Sequence, residues 1–342
     1  MKVTLLYDAL EDHLKAEAEQ RGEAFPLTYE AVATALRERG HDVTRLAAQR
    51  PIAQLAAQLE QDTSDLIFNL CESLDGVGQH EQHVAALLEL LGKRFTGSDS
   101  FGLALAQDKA LTKKLLGFHG IRYPKFSSMA AGQVEWADDL NFPLFVKPAN
   151  QDASIGIDQH AIVTNVKALM ERLSFIQTEF QAPALIEEFI EGREIYVGVL
   201  GGDKPEALPL VEWDFSGVTD GTPKIASAEA KWDKDSALNQ APEVIPNDIP
   251  APVCQRMQAA AVTAFTALKL RDYGRIDLRL RRREPVGQAS ADPAADETDE
   301  MAGWEFYVIE VNPNPHLDPT AEMALAAQAH GLNYADFLDK LL

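Results

Sequence analysis

The segment Glu305-Phe306-Tyr307-Val308-Ile309-Glu310-Val311-Asn312 constrains the fold most. It is a run of β-forming apolar residues interrupted by one carboxylate and one amide. Side chains two apart in a strand share a face, so Glu310 and Asn312 project together. Pro313 and Pro315 then end the strand, because proline cannot donate to a ladder. A core strand with polar ends has this pattern. So does a strand offering hard oxygen ligands to Mg²⁺, which takes carboxylates together with substrate phosphates.

A second stretch narrows the choice. Asp272-Tyr273-Gly274-Arg275-Ile276-Asp277-Leu278-Arg279-Leu280 alternates cleanly. Arg275, Asp277 and Arg279 share one face, and Ile276, Leu278 and Leu280 the other. Pairing of 275–280 with 305–312 puts Asp277 beside Glu310 and Asn312, with Arg275 near any negative charge developing there. The polar segment between the two strands has no apolar periodicity over 288–299. A disordered insertion is expected at about 283–302.

Composition excludes several classes. The 342 residues are 46% apolar and 25% charged, as in globular proteins of two or three domains. The formal charge of −22 disfavours nucleic acid and anionic membrane surfaces as partners. Any anion site must therefore use local Lys, Arg and backbone N–H groups. Two cysteines, Cys71 and Cys254, form no disulfide framework, which fits a cytoplasmic protein. The apolar run at Met1–Tyr7 is too short for a signal peptide, and no window is long enough to span a membrane.

The order of elements predicts an α/β chain, α+β in its C-terminal half. Strands are expected at 2–7, 41–46 and 65–70, with helices at 28–39 and 82–91. This alternation describes an open, mostly parallel sheet, with the loop Cys71–Glu81 at a site edge. A helix follows Asp108-Lys109. Lys147 ends a short strand before the small-residue loop Asn150–Ile157, a loop type that wraps phosphates. The strand Ala184–Ile190 carries Glu187 and Glu188. Glu194 opens the next strand, and Glu187 and Glu194 suit an adenine amino group and ribose hydroxyls. Residues 203–250 read as irregular and lid-like, with Lys231-Trp232 inside. Helices are expected at 252–268, 321–330 and 334–342.

Taken in order, Asp108-Lys109, Phe145-Val146-Lys147-Pro148, Glu187-Glu188-Phe189-Ile190-Glu191-Gly192-Arg193-Glu194, Lys231-Trp232, Gly274-Arg275-Ile276-Asp277 and Glu310-Val311-Asn312 resemble the ATP-grasp ligases, in their D-alanine–D-alanine ligase branch. The resemblance runs from about Leu66 to the C-terminus. It implies an N-terminal domain over 1–107, a central subdomain over 108–182 and a C-terminal subdomain over 183–342. It implies ATP as substrate, with Lys109, Lys147 and Ser154 at the phosphates. Glu187, Glu188 and Ile190 would meet adenine, and Glu194 ribose. It further implies Mg²⁺ or Mn²⁺ on Asp277, Glu310 and Asn312, with Lys231 and Arg275 at the reacting groups. A substrate carboxylate would be phosphorylated to an acyl phosphate and captured by an amine. This branch also implies a homodimer formed through the N-terminal region.

The departures fall on the amino-acid half. The branch's Gly-Gly-x-Ser-x-Glu signature is replaced by Tyr7–His13, and its His-Gly-x-x-Gly-Glu-Asp-Gly loop by Cys71–Glu81. Asp152 and Ala153 stand where Gly and Ser are usual. Pro315-His316 replaces Pro-Gly, and Ala321-Glu322 replaces a Ser-Leu pair that recognises the second D-alanine. Glu72, His80, Glu81, His83, His316 and Glu322 are candidates to shape the pocket, with His316 placed to donate to an acyl oxygen or substrate carboxylate. The expected function is an ATP-dependent carboxylate–amine ligase for amino acids or peptides, with substrates other than two D-alanines. A D-alanine–D-alanine ligase with a divergent pocket and a non-catalytic ATP-binding protein are the alternatives.

Overall fold

Strand β1 (Lys2–Asp8) is buried along almost its whole length, on both faces. A strand covered on both sides belongs inside a parallel sheet flanked by helices. It pairs in parallel with β2 (Asp42–Ala48) and β3 (Leu66–Asn69), giving the order β2-β1-β3. Between them run α1 (Leu10–Gln20), α2 (Thr28–Glu38) and α3 (Ile52–Gln61). Val32 and Leu36 of α2 cover the Val3 and Leu5 face. Leu55 and Leu59 of α3, with Val84 and Leu88 of α4 (Glu81–Leu90), cover Leu6 and Ile67 on the other.

Helices α5 (Ser100–Gln107) and α6 (Lys109–Phe118) lead out of this layer. The Asp108 side chain accepts from the Leu111 N–H, an N-cap that fixes where α6 begins. The computed structural model describes all residues except 23–24, 131, 151–155, 219–223, 228, 231–232, 234–235 and 283–302. Ser154, Lys231, the Asp152-Ala153 departure and the insertion expected at 283–302 lie outside the described residues.

The second sheet is antiparallel, ordered β5-β4-β8-β6-β7. Its strands are β4 (Phe126–Ala130), β5 (Gln133–Ala137), β6 (Leu144–Pro148), β7 (Ile162–Val163) and β8 (Ala184–Glu188). Helix α7 (Val166–Glu179) lays Ile176 on Leu144, Val146 and Ile186. The sequence reading assigns 184–188 to the last domain. Its hydrogen bonds put it between β4 and β6, because α7 carries the chain back across that sheet.

The third sheet, also antiparallel, is ordered β11-β10-β9-β12-β13. It contains β9 (Arg193–Leu200), β10 (Glu206–Trp213), β11 (Glu243–Val244), β12 (Tyr273–Arg282) and β13 (Trp304–Asn312). Strand β10 corrects the irregular reading of 203–250. Its pairing with β9 shifts register between Ala207 and Leu210, across Pro209, and that interruption hides the strand's alternation. Helix α8 (Ala251–Ala267) packs small Ala261 and Ala264 close to Ile276, Leu278 and Leu280. Helix α9 (Glu322–Ala329) covers the other face with Met323. Helix α10 (Tyr334–Asp339) returns to the first domain, where Phe337 and Leu338 join the core of α2 and Asp339 accepts from His41 at 2.6 Å. Among the described residues no helix is long and apolar enough to cross a membrane.

Candidate active site

A cleft of about 640 Å³, open to solvent, lies between the second and third sheets. Phe145, Lys147 and Glu187 line it from one side, and Glu194, Asp277 and Glu310 from the other. Strand periodicity explains the set. Phe145 and Lys147 are two apart on β6, and Glu187 stands opposite Phe145 on the neighbouring β8. Ile190, buried at 6% exposure, and Glu188 complete that wall, and Glu188 accepts from the Asn141 amide at 3.4 Å.

The register of β12 and β13 sets the opposite wall. Asp277 pairs with Glu310 and Arg275 with Asn312. An irregularity after Asp277 steps the next pair to Leu278 and Val308, and the extra residue, Ile309, also lines the cleft. The Asn312 amide donates to Asp277 at 3.0 Å. Arg275 grips the same carboxylate through Nε at 2.8 Å and Nη2 at 3.0 Å, and its guanidinium lies 4.8 Å from the centre of the Tyr196 ring. Its Nη1 reaches Glu322 at 3.1 Å. The residues that the sequence brings together as Asp277, Glu310, Asn312 and Arg275 therefore converge in space.

Lysines bind both walls to α6. Lys109 meets Glu310 at 2.8 Å, and Lys113, one turn on, pairs with Glu187. Lys147 meets the other oxygen of Glu187 at 3.0 Å. Burial alone would raise the Glu187 carboxyl, but Lys113 and Lys147 hold it below the usual carboxylate range. Sequence reasoning missed Lys113, whose one signal was its spacing of four from Lys109. It also gave no partner to Arg279, which pairs with Glu194 at 2.8 Å. Glu194 further accepts from the Tyr196 hydroxyl at 3.2 Å and the Ala226 N–H at 3.3 Å.

His316 sits apart from this cluster. Its Nε2 meets the Thr28 hydroxyl at 2.9 Å and its Nδ1 meets Glu72 at 3.1 Å, so both described partners belong to the first domain. Burial pulls the imidazole down, yet the Glu72 hydrogen bond and charge outweigh it and push its pKa up to about 9. Nearby Glu11 is pushed up to about 7 by burial, against the pull of His316. The loop after β3 reaches the same region, where the Asn314 amide donates to the Cys71 carbonyl at 3.0 Å. His80 and His83 face one another, ring centres 5.7 Å apart.

Residues 115–288 match the family described as D-ala D-ala ligase C-terminus. The D-alanine–D-alanine ligase of Ralstonia nicotianae is 30% identical over 322 residues, covering 92% of this chain and 84% of that protein. The chain belongs to the D-alanine–D-alanine ligase family. It is thus an ATP-dependent ligase of the ATP-grasp fold. The uncharacterized protein y4sG of Sinorhizobium fredii is 32% identical over 323 residues, covering 92% of this chain and 85% of that one. The crystal structure of the Bacillus anthracis D-alanine–D-alanine ligase complexed with ATP shares the ligase fold, with a TM-score of 0.71 at 20% identity. That match covers 100% of this chain and 96% of the other.

Proposed function

We propose that this ligase joins a carboxylate to an amine with ATP bound in the cleft between the two antiparallel sheets, and that its substrates are not two D-alanines. One observation carries the second part. Arg275, the guanidinium nearest the Asp277 cluster, already holds the Glu322 carboxylate at 3.1 Å as well as Asp277. One cation facing two carboxylates repels a third. D-alanine as acceptor brings that third carboxylate close to its amine, so the arrangement favours an acceptor whose carboxylate is absent or lies away from Arg275.

The cleft's groups support ATP as the phosphoryl donor. Lys147 on the cleft wall and Lys109, paired with the cleft residue Glu310, are the point charges this reading assigns to the phosphates. Glu188 and Ile190 edge a pocket suited to adenine, and Glu194 to ribose hydroxyls. Glu187, also expected at adenine, lines the same wall and is engaged by two lysines. Asp277, Glu310 and Asn312 offer two carboxylates and an amide. Among the described residues no cluster of three His, Cys, Asp or Glu side chains could hold a metal alone. That donor set fits Mg²⁺ or Mn²⁺ shared with phosphate oxygens. When bound, such a metal supplies positive charge against the phosphates. Ser154 and Lys231 keep their expected phosphate roles in this reading.

Within it, the chain's own groups position and shield. Arg275 keeps its expected place at the reacting groups in this reading, oriented by Asp277, Glu322 and the Tyr196 face. His316, tied to Glu72 and Thr28, joins the loop after β13 to the first domain and in this reading shapes substrate entry from there, apart from the Asp277 cluster. The acyl phosphate formed on the substrate is protected by excluding water.

The remaining expectations belong to this reading. The domain limits expected from the sequence are 1–107, 108–182 and 183–342, and β8, at the start of the third range, pairs within the central sheet. Exposed Leu90 and Phe101 support a homodimer through the first domain. Free thiols at Cys71 and Cys254 support a cytoplasmic setting. The deciding experiment measures ADP release with ATP, Mg²⁺ and a panel of amino acids, amines and dipeptides. Stimulation by members of the panel other than D-alanine is expected. Brisk release with D-alanine alone would mark an ordinary D-alanine–D-alanine ligase, and no stimulation by any member a non-catalytic ATP-binding protein.

A further inference from the structure

Lys113 is a lysine without access to the cleft. It is 2% exposed, does not line the cavity, and packs near the Tyr123 ring. It pairs with one oxygen of Glu187, while Lys147, which does line the cleft, holds the other at 3.0 Å. All three side chains are almost fully shielded, with exposures of 2%, 4% and 8% for Lys113, Glu187 and Lys147. A buried carboxylate stripped of its cations is strongly unfavourable. Two cations on one carboxylate therefore look redundant until the nucleotide is considered.

We propose that Lys113 is a positioning residue that keeps Glu187 neutralised so that Lys147 can turn to an incoming phosphate. This rests on reading the cleft as the ATP site. An anionic group arriving beside Lys147 competes with Glu187 for the same ammonium. With Lys113 in place, Lys147 leaves Glu187 without stranding it. Without Lys113, Lys147 is pinned to Glu187, and the phosphate meets a neutralised lysine.

The placement of Lys113 favours this role over simple support. It lies one helical turn beyond Lys109 on α6, so one rigid helix carries both cations. Lys109 reaches the third sheet at Glu310 and Lys113 the second sheet at Glu187. Burial, with the neighbouring Lys147 charge, holds the Lys113 ammonium below the ordinary lysine range, and the Glu187 carboxylate opposes that shift. Moving Lys147 changes neither contact.

The test is calorimetric binding of ATP with Mg²⁺ to the full chain, alongside thermal unfolding. Lys113→Met is expected to weaken ATP binding by about tenfold or more, since Lys147 becomes the last cation on a buried carboxylate. Lys113→Arg, which keeps the charge, is expected to stay within about threefold of the wild type. The double variant Lys113→Met/Glu187→Gln removes the carboxylate that needs neutralising. Its affinity should match Glu187→Gln alone, giving a coupling that a packing role does not produce. A Lys113→Met protein that melts earlier but binds ATP like the wild type overturns the proposal. So does a double variant as weak as Lys113→Met. If Lys113→Met does not fold, the double variant and Lys113→Arg carry the same decision. A wild-type protein that binds no ATP would instead overturn the reading of the cleft.

Discussion

Arg275 and Glu322 meet at 3.1 Å, with side chains only 9% and 14% exposed. The first residue of α9 thereby places a carboxylate on a guanidinium that is already bonded twice to Asp277. Glu322→Ser removes one of the two negative charges around Arg275. We expect kcat/KM with D-alanine as acceptor to rise about tenfold or more, because like charges brought together in a shielded site cost several kcal/mol. Glu322→Asp keeps the charge and should remain close to the wild type. ADP release at varied D-alanine reads both. A Glu322→Ser enzyme that handles D-alanine no better than the wild type removes the support for a changed acceptor.

Asp277 and Glu310 stand opposite each other across β12 and β13, and Asn312 donates to Asp277. Glu310→Ala should lower Mg²⁺-dependent turnover by about a hundredfold or more, in line with losing one electrostatic contributor at a reacting centre. Its side chain is 26% exposed but its partner Lys109 only 7%, so circular dichroism should keep the folded signature while melting falls with the loss of that ion pair. Dialysis against EDTA should stop ADP release, and Mg²⁺ or Mn²⁺ should restore it. Near-normal turnover in Glu310→Ala would move the metal elsewhere.

The legible part of this site is the part set by period two. Ile276, Leu278 and Leu280 had to face the core, and that placed Arg275, Asp277 and Arg279 on the cleft side. The same rule aligned Glu310 with Asn312. The bulge at Ile309 was not legible, since one extra residue leaves no mark in composition. Strand β10 was hidden by Pro209 at its register shift, and the partners of β8 by the long return through α7. Side-chain partners were least legible. Lys113 looks like any helical lysine until β8 brings Glu187 to it. His316 follows the metal strand in sequence, yet its described partners, Thr28 and Glu72, are more than two hundred residues away.

Gly192 sits in the turn between β8 and β9 with φ of +154°, and a Cβ there would lie 2.3 Å from the Leu280 carbonyl oxygen. Backbone cannot yield as a side-chain tip can. Its own carbonyl accepts from Arg279 at 2.9 Å, and Arg279 in turn pairs with Glu194. Gly192→Ala should therefore destabilise the protein by about 2–3 kcal/mol. It should also raise the KM for ATP, because the Gly192 carbonyl anchors the Arg279 guanidinium of β12 and through it the Glu194 carboxylate. Denaturant unfolding and nucleotide titration check the two effects. An unfolding midpoint equal to that of the wild type would show that the turn relaxes without strain.

His316 and Glu11 make the junction between the first domain and the loop after β13 sensitive to pH. Thr28, Glu72 and Asp318 are the other groups around the imidazole. The folded pKa of His316 is about 9 against an ordinary 6.5, so the protonated form is favoured in the folded state. That contribution is complete below pH 6.5 and fades as pH rises through about 9. Glu11 is also raised, from 4.5 to about 7, by burial, so its contribution is complete below pH 4.5 and fades through about 7. Both act in the same direction, and stability should decline from mildly acidic to alkaline pH. His316→Gln should flatten the decline between about pH 7 and 9.5, and Glu11→Gln the part between about pH 5 and 7. Melting temperatures across that range test each separately. Should His316→Gln show the same slope as the wild type, the tie to Glu72 adds nothing to the folded state. Moderate salt should shrink the His316 effect, since the imidazole and the Glu72 carboxylate are each about half exposed. The Glu11 effect comes from burial, so it should persist.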